Sequence, residues 1–255
     1  MNKLNPQTDI LALDFDGVVV DSIEECLVVG YNALAIQQGR NERIQRLDEL
    51  PPETVKEARR IRNFIRHGQD YVFIHLGLQE GAKIQNQQDF DCFLEENKTL
   101  NADFRRQFYT ERARFINEEP DVWLALNPFY PGMQEFLEDF QSKERLYIIT
   151  TKLKENVQAL INTRNINFLS DNILSADQKL SKPQIIARLL SVNRLKPMLF
   201  HFIDDQVDTL IKCKSTGVNL YLARWGYNND NQRAIAQSEE LRVLALNEFL
   251  RQFRS

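Results

Sequence analysis

Short apolar runs rich in branched residues recur along the chain at positions 10–13, 146–150, 172–174, 199–203 and 218–222. Each run is predominantly apolar rather than alternating, the pattern of strands covered on both faces. Between the later runs, apolar residues repeat at helical spacing. Met133, Phe136, Leu137 and Phe140 form one such set, Leu153, Val157, Leu160 and Ile161 a second, and Ile185, Ile186, Leu189 and Leu190 a third. Strand and helix alternating on this scale predict a parallel sheet with helices on both sides, an α/β fold. The first run stands apart from the second by more than a hundred residues. That interval carries no strand pattern and reads as amphipathic helices at 23–36, 52–66, 89–96 and 102–117, with an apolar patch at 71–76. Phe104, Phe108, Phe115 and Ile116 mark one face of the last. Pro131-Gly132 then restarts the α/β pattern, proline suiting a helix's first turn. The expected organisation is an α/β core from residues 1–21 and 129–255, interrupted by an all-helical insertion at 22–128.

Composition adds exclusions. With 43% hydrophobic and 27% charged residues, neither a disordered nor a fibrous chain is indicated. No apolar stretch approaches the roughly 18 residues of a membrane span, so no membrane partner is expected. The opening MNKLNPQTDI lacks the apolar core of a secretory signal. Three scattered cysteines, an odd number, read as free thiols in a reducing compartment. Together these features lead to the expectation of a cytoplasmic protein. A net charge of −4 argues against nucleic acid as the main partner. Nothing in the pattern specifies the oligomeric state.

The candidate chemistry lies at the ends of the predicted strands. The stretch LALDFDGVVVDS places Asp14 and Asp16 two apart after the first run, so that in extended chain both face one crevice. Open parallel sheets bind ligands outside the carboxyl ends of their strands. The run at 146–150 finishes in Thr150-Thr151-Lys152, and the run at 199–203 leads into Asp204-Asp205, with Asp208 a helical turn later. Lys182-Pro183 begins a predicted helix. Carboxylates from two strands make a hard, oxygen-rich site of the kind magnesium prefers. A hydroxyl and a lysine beside them supply donors for an anion, which together describe a phosphoryl-transfer centre.

The motifs ALDFDGVVVDS, YIITTK, SKPQII and HFIDDQVDTL, in this order and spacing, resemble those of the haloacid dehalogenase superfamily, and within it the phosphoglycolate phosphatase-like members. The resemblance spans the whole chain and implies a Rossmann-like core with a helical cap inserted after the first motif. It implies a Mg2+-dependent phosphatase acting on a small phosphorylated metabolite. Asp14 would be the nucleophile that forms an aspartyl-phosphate, with its other oxygen on the metal. Asp16 would offer the metal its backbone carbonyl and serve as general acid, then base. Thr150 would hydrogen-bond a phosphoryl oxygen, with Thr151 beside it at the substrate, and Lys182 would orient Asp14. Asp204 would be the second metal carboxylate, with Asp205 or Asp208 as a further ligand or outer partner. The presence of Asp16 favours a phosphatase over a dehalogenase, whereas a sugar-phosphate mutase and a non-catalytic binding or scaffold protein stay open as alternatives.

Two positions depart from the family pattern. Ile203 stands where glycine usually precedes the fourth-motif aspartate, and Thr151 where asparagine is common. An isoleucine there is expected either to crowd the site or to redirect the loop. Within the insertion, RRIRNFIRHGQDY puts Arg59, Arg62 and Arg66 on one predicted helical face. That face reads either as a solvated basic surface or as a source of guanidinium forks, Arg62 or Arg66, for an anionic substrate. Tyr71, Phe73 and Phe108 are expected in the core of the insertion, His201 inside a strand, and Arg224 and Trp225 at the rim of the crevice.

Overall fold

The computed structural model describes residues 4–5, 7–176 and 179–254. In chain order the elements are β1 (Ile10–Leu13), α1 (Ile23–Gln37), α2 (Pro52–Ile61), α3 (Asp70–Glu80), α4 (Gln87–Glu96), α5 (Asn101–Glu118) and α6 (Pro120–Ala125). There follow α7 (Met133–Asp139), β2 (Leu146–Thr150), α8 (Lys154–Thr163), β3 (Ile173–Ser175), α9 (Lys182–Val192) and β4 (Phe200–Asp204). The chain finishes with α10 (Val207–Cys213), β5 (Asn219–Ala223), α11 (Asp230–Ser238), β6 (Arg242–Leu244) and α12 (Leu246–Phe253). Two compact units result, one from Met1–Asp21 with Phe129–Ser255, the other from Ser22–Pro128. No helix among the described residues is long and apolar enough to cross a membrane.

The α/β unit is a six-stranded sheet in the order β3-β2-β1-β4-β5-β6, parallel at every pairing. The continuous apolar runs are explained by burial on both faces. Along β1, Ile10 and Ala12 join a core with Phe202, Leu210, Ile185 and Leu222. Leu11 and Leu13, pointing the other way, are also fully buried. Phe136 and Phe249 pack at 4.9 Å between ring centres, which ties α7 to α12. His201 is half-buried within β4, its Nδ1 3.0 Å from the Tyr221 hydroxyl. One strand goes beyond the sequence pattern: β6, whose RVL has an exposed Arg242 and is too short to show a period.

Because β1 pairs with β2 on one side and β4 on the other, chain order reverses direction across the sheet at β1. The carboxyl ends of β1 and β4 therefore flank a topological switch point, where such sheets bind ligands. Past β1 the chain folds back on itself. The amides of Val19 and Val20 donate to the Phe15 carbonyl at 2.8 and 3.0 Å, and Gly17 takes a left-handed φ of 84°. The three valines of the motif are fully buried.

In the helical unit α1 packs against α3 and α5. A Cβ on Gly30 would lie 2.8 Å from the Tyr71 carbonyl oxygen, so glycine permits the close approach of α1 to α3. Tyr71, Phe73 and Phe108 are buried, with Phe73 and Phe104 at 4.7 Å. Glu25 is fully buried and takes a two-pronged pair from Arg112, at 2.7 and 2.8 Å. The helix expected over 52–66 is shorter. It ends at Ile61, a 3-10 turn covers Arg62–Phe64, and Ile65 is extended. Beyond it, Asp70 Oδ2 accepts from the amides of Arg66 and His67 at 2.9 and 2.8 Å and fixes a turn before α3, so the helix does not reach Arg66. Arg59, Arg62 and Arg66 consequently do not share one helical face. Arg59 pairs with Glu24 at 2.8 Å, Arg62 is buried with its guanidinium 5.4 Å from the Tyr71 ring centre, and Arg66 donates to Gln87 Oε1 at 2.8 Å.

Inside this unit the His75 Nε2 lies 2.8 Å from the Leu27 carbonyl oxygen. Burial holds its pKa down at about 4 from an ordinary 6.5, against the pull of that carbonyl. The unfolded chain therefore binds this proton more readily than the folded one. The stability involved is fully present above pH 6.5 and is lost as pH falls towards 4, by up to about 3 kcal/mol. Urea unfolding at pH 7 and pH 4.5 checks this: the wild type is expected to lose about 2–3 kcal/mol more than His75→Gln, and equal losses would show the imidazole to be irrelevant.

Candidate active site

Asp14 follows β1 directly and extends its ladder, its amide donating to the Ile203 carbonyl of β4 at 2.8 Å. The side chain is held at both oxygens. Oδ1 accepts from the Phe15 amide at 2.7 Å and Oδ2 from the Lys182 ammonium at 2.9 Å. Burial raises the Asp14 pKa from 3.8 to about 6, with Lys182 pulling it down and the Asp204 carboxylate pushing it up. Lys182 is the first residue of α9, a helix started by Ser181, whose amide donates to Gln184 Oε1 at 2.9 Å, and by Pro183 in the first turn. Burial opposes the lysine's charge, but Asp14 and Asp204 outweigh it and hold the pKa above its ordinary value.

Asp204 ends β4 and is fully buried. Its Oδ2 accepts from Lys182 at 2.7 Å and its Oδ1 from the Gln206 amide at 2.8 Å. Lys182 thus spans the ends of β1 and β4. Asp205, also fully buried, accepts from the Tyr227 amide at 2.8 Å through Oδ2. Carboxylate oxygens of Asp14, Asp204 and Asp205 lie within 4.8 Å of one another. Lys182 alone does not neutralise three buried carboxylates. A donor set of three hard oxygens with surplus negative charge fits a divalent cation of the magnesium or calcium type.

The other expected residues are distributed as follows. Thr150 ends β2, next to β1, is buried, and accepts from the Lys152 amide through Oγ1 at 3.2 Å. Thr151 is exposed. Asp16 lies in the folded-back loop with Oδ1 3.0 Å from the Lys152 ammonium. Asp208, in the first turn of α10, is half-buried and outside the cluster of three carboxylates. Arg62 and Arg66 belong to the helical unit. Ile203 is fully buried in β4, and by alternation its side chain lies on the face opposite Phe202.

The loop after β5, RWGYNND, goes beyond the rim position expected for Arg224 and Trp225. Trp225 Nε1 donates to the Val18 carbonyl at 3.0 Å, and the Tyr227 hydroxyl donates to Asp21 Oδ1 at 2.8 Å. Asn228 donates to the Asp205 carbonyl at 3.2 Å. A Cβ on Gly226 would meet the Gly17 carbonyl oxygen at 2.3 Å and the Asp205 Cβ at 2.4 Å, so the loop threads against both motifs. Its signal in the sequence is a glycine flanked by aromatics and followed by two asparagines, just past a predicted strand. The pairing of Lys152 with Asp16 had no such signal.

Comparison with known proteins agrees with this arrangement. The model of the haloacid dehalogenase-like hydrolase family matches residues 11–223. No curated protein was matched. Among solved structures, a provisionally assigned phosphoglycolate phosphatase from Lactobacillus delbrueckii is similar at a TM-score of 0.65 and 16% identity, over 95% of this chain and 96% of that one. A predicted phosphoglycolate phosphatase from Haemophilus somnus gives a TM-score of 0.58 at 20% identity, over 93% and 94%. A haloacid dehalogenase-like hydrolase from Streptococcus pneumoniae gives 0.57 at 15%, over 95% of each chain. At these identities the solved structures establish a shared fold. The family match over most of the sequence, with acidic residues at the ends of β1 and β4, shows that the chain belongs to the haloacid dehalogenase-like hydrolases.

Proposed function

We propose that this hydrolase is a magnesium-dependent phosphatase that cleaves a small phosphorylated metabolite through a phosphoryl group carried on Asp14. The observation that supports it most is the meeting of Asp14, Asp204 and Asp205 with the Lys182 ammonium at the switch point of the sheet. With a pKa near 6, the Asp14 carboxyl is mostly ionised at neutral pH, as a nucleophile must be. An Asp14 oxygen attacks phosphorus as the bond to the leaving oxygen breaks, and Asp16 gives that oxygen its proton. Water then attacks the aspartyl-phosphate, Asp16 takes up the proton, and the Asp14–phosphorus bond breaks to release inorganic phosphate. Thr150 donates its hydroxyl to a phosphoryl oxygen, with the exposed Thr151 beside it, and Lys182 keeps Asp14 charged and in place.

A divalent cation held by Asp14, Asp204 and Asp205, with the Asp16 carbonyl as a further donor, would cancel the repulsion between carboxylate and phosphate. Asp208 serves as an outer partner on α10. In the helical unit, Arg62 and Arg66 are the candidates for holding an anionic part of the substrate. The chain works in the cytoplasm on a soluble metabolite, without nucleic acid or a membrane as partner.

Phosphate release with magnesium across a panel of phosphorylated metabolites tests the function. The wild type is expected to turn over at least one, and Asp14→Asn to lose about 10³-fold or more. Phosphate returned to a second hydroxyl of the substrate would identify a mutase instead, and no turnover by a folded wild type would favour a non-catalytic binder. The metal is tested separately by thermal unfolding. Magnesium at ten times its Kd is expected to stabilise the wild type by about 1.4 kcal/mol, and Asp204→Asn is expected to lose that gain. An equal gain in the variant would remove Asp204 from the metal site.

A further inference from the structure

Lys152 has no part in the chemistry described above, yet its position is built with care. Its side chain is only 1% exposed, while that of Asp16, 3.0 Å away, is 23% exposed. A buried ammonium is costly unless a partner compensates it. Its backbone is pinned from both sides: the amide donates to Thr150 Oγ1 at 3.2 Å, and the carbonyl accepts from Ser175 Oγ of β3 at 2.9 Å. Asp16, by contrast, stands past the end of β1, in a loop that turns at Gly17. Its backbone bridges to Val20, so the aim of its carboxyl group is set by the side-chain torsions, and proton transfer requires a particular aim.

We propose that Lys152 is a positioning residue, whose ammonium, anchored at the end of β2, holds the Asp16 carboxyl group where, protonated, it gives its proton to the leaving oxygen and, ionised, takes one from the attacking water. The proposal rests on the phosphatase reading and on Asp16 as its acid. It assigns the buried Lys182 and Lys152 separate duties, Lys182 to the nucleophile and Lys152 to the acid. Lys152 acts only through Asp16, so its importance must follow how much proton a given leaving group needs. The phenolate of para-nitrophenyl phosphate leaves with little help, whereas that of phenyl phosphate, a stronger base, leaves poorly without a proton.

The experiment measures kcat and KM for both esters at saturating magnesium, in the wild type, Asp16→Asn, Lys152→Met, Lys152→Arg and the double variant D16N/K152M. Lys152→Met is expected to lower kcat for phenyl phosphate about 10²-fold but that for para-nitrophenyl phosphate less than about tenfold, KM changing little. Asp16→Asn is expected to show the same imbalance, the double variant little more than D16N alone, and Lys152→Arg to recover much of the phenyl phosphate rate. Equal losses on both esters in K152M, with the imbalance present in D16N, would overturn the proposal and make Lys152 a packing residue. No imbalance in D16N would remove the acid role of Asp16 and this proposal with it, while continued turnover of both esters by the wild type, abolished in an Asp14→Asn variant measured alongside, would leave the phosphatase reading standing. If K152M fails to fold by thermal unfolding, Lys152→Gln carries the same comparison. A wild type inert towards both esters would defeat the phosphatase reading and the proposal together.

Discussion

The Lys182 ammonium between Asp14 and Asp204 is the interaction on which the catalytic end of the sheet depends. Its contacts of 2.9 and 2.7 Å join the ends of β1 and β4, two strands far apart in sequence and adjacent in space. Breaking a buried pair of this kind by removing one partner typically costs about 3–5 kcal/mol, because the remaining charge keeps its desolvation penalty. Without a cation here, the carboxylates of Asp14, Asp204 and Asp205 would repel one another in a buried place. The same three carboxylates form a group that could hold a divalent ion.

The loop after β5 completes the arrangement by geometry rather than charge. Gly226 lies against the Gly17 carbonyl and the Asp205 side chain, and Tyr227 donates its amide to that side chain. Asp205 is thereby aimed by a loop some twenty residues downstream, and the loop after β1 is held through Val18 and Asp21. Both glycines are required by contact: at each, a Cβ would approach Asp205 atoms at 2.4 Å.

Much of this was legible in the sequence, for definite physical reasons. Strands buried on both faces must be apolar throughout, so the runs behind β1, β2, β4 and β5 stood out, and the polar residues ending three of them became candidates at once. The Lys-Pro pair marks only a helix start, and the role of Lys182 comes from the resemblance of SKPQII to the family motif. What stayed hidden depends on contacts between distant residues. The turn at Arg66 and His67, where a helix was expected to continue, is held by Asp70 taking both amides, which helical periodicity does not register. The meeting of Lys152 with Asp16 follows from β2 lying beside β1, and the register of a parallel pair leaves no local trace. Buried Glu25 and Arg112 read as surface residues until the helices are assembled.

Ile203 shows how a departure from the family pattern is accommodated. A glycine before the fourth-motif aspartate loosens the chain at that point, whereas a β-branched residue favours extended backbone. Ile203 accordingly lies inside β4, pairs in register with Leu13, and lends its carbonyl to the Asp14 amide. Alternation then sends its side chain to the face away from Phe202, where it is fully buried. The strand continues through Asp204, so this carboxylate is fixed by sheet geometry rather than by a loop. The substitution therefore places rigidity at the residue that shares Lys182 with Asp14.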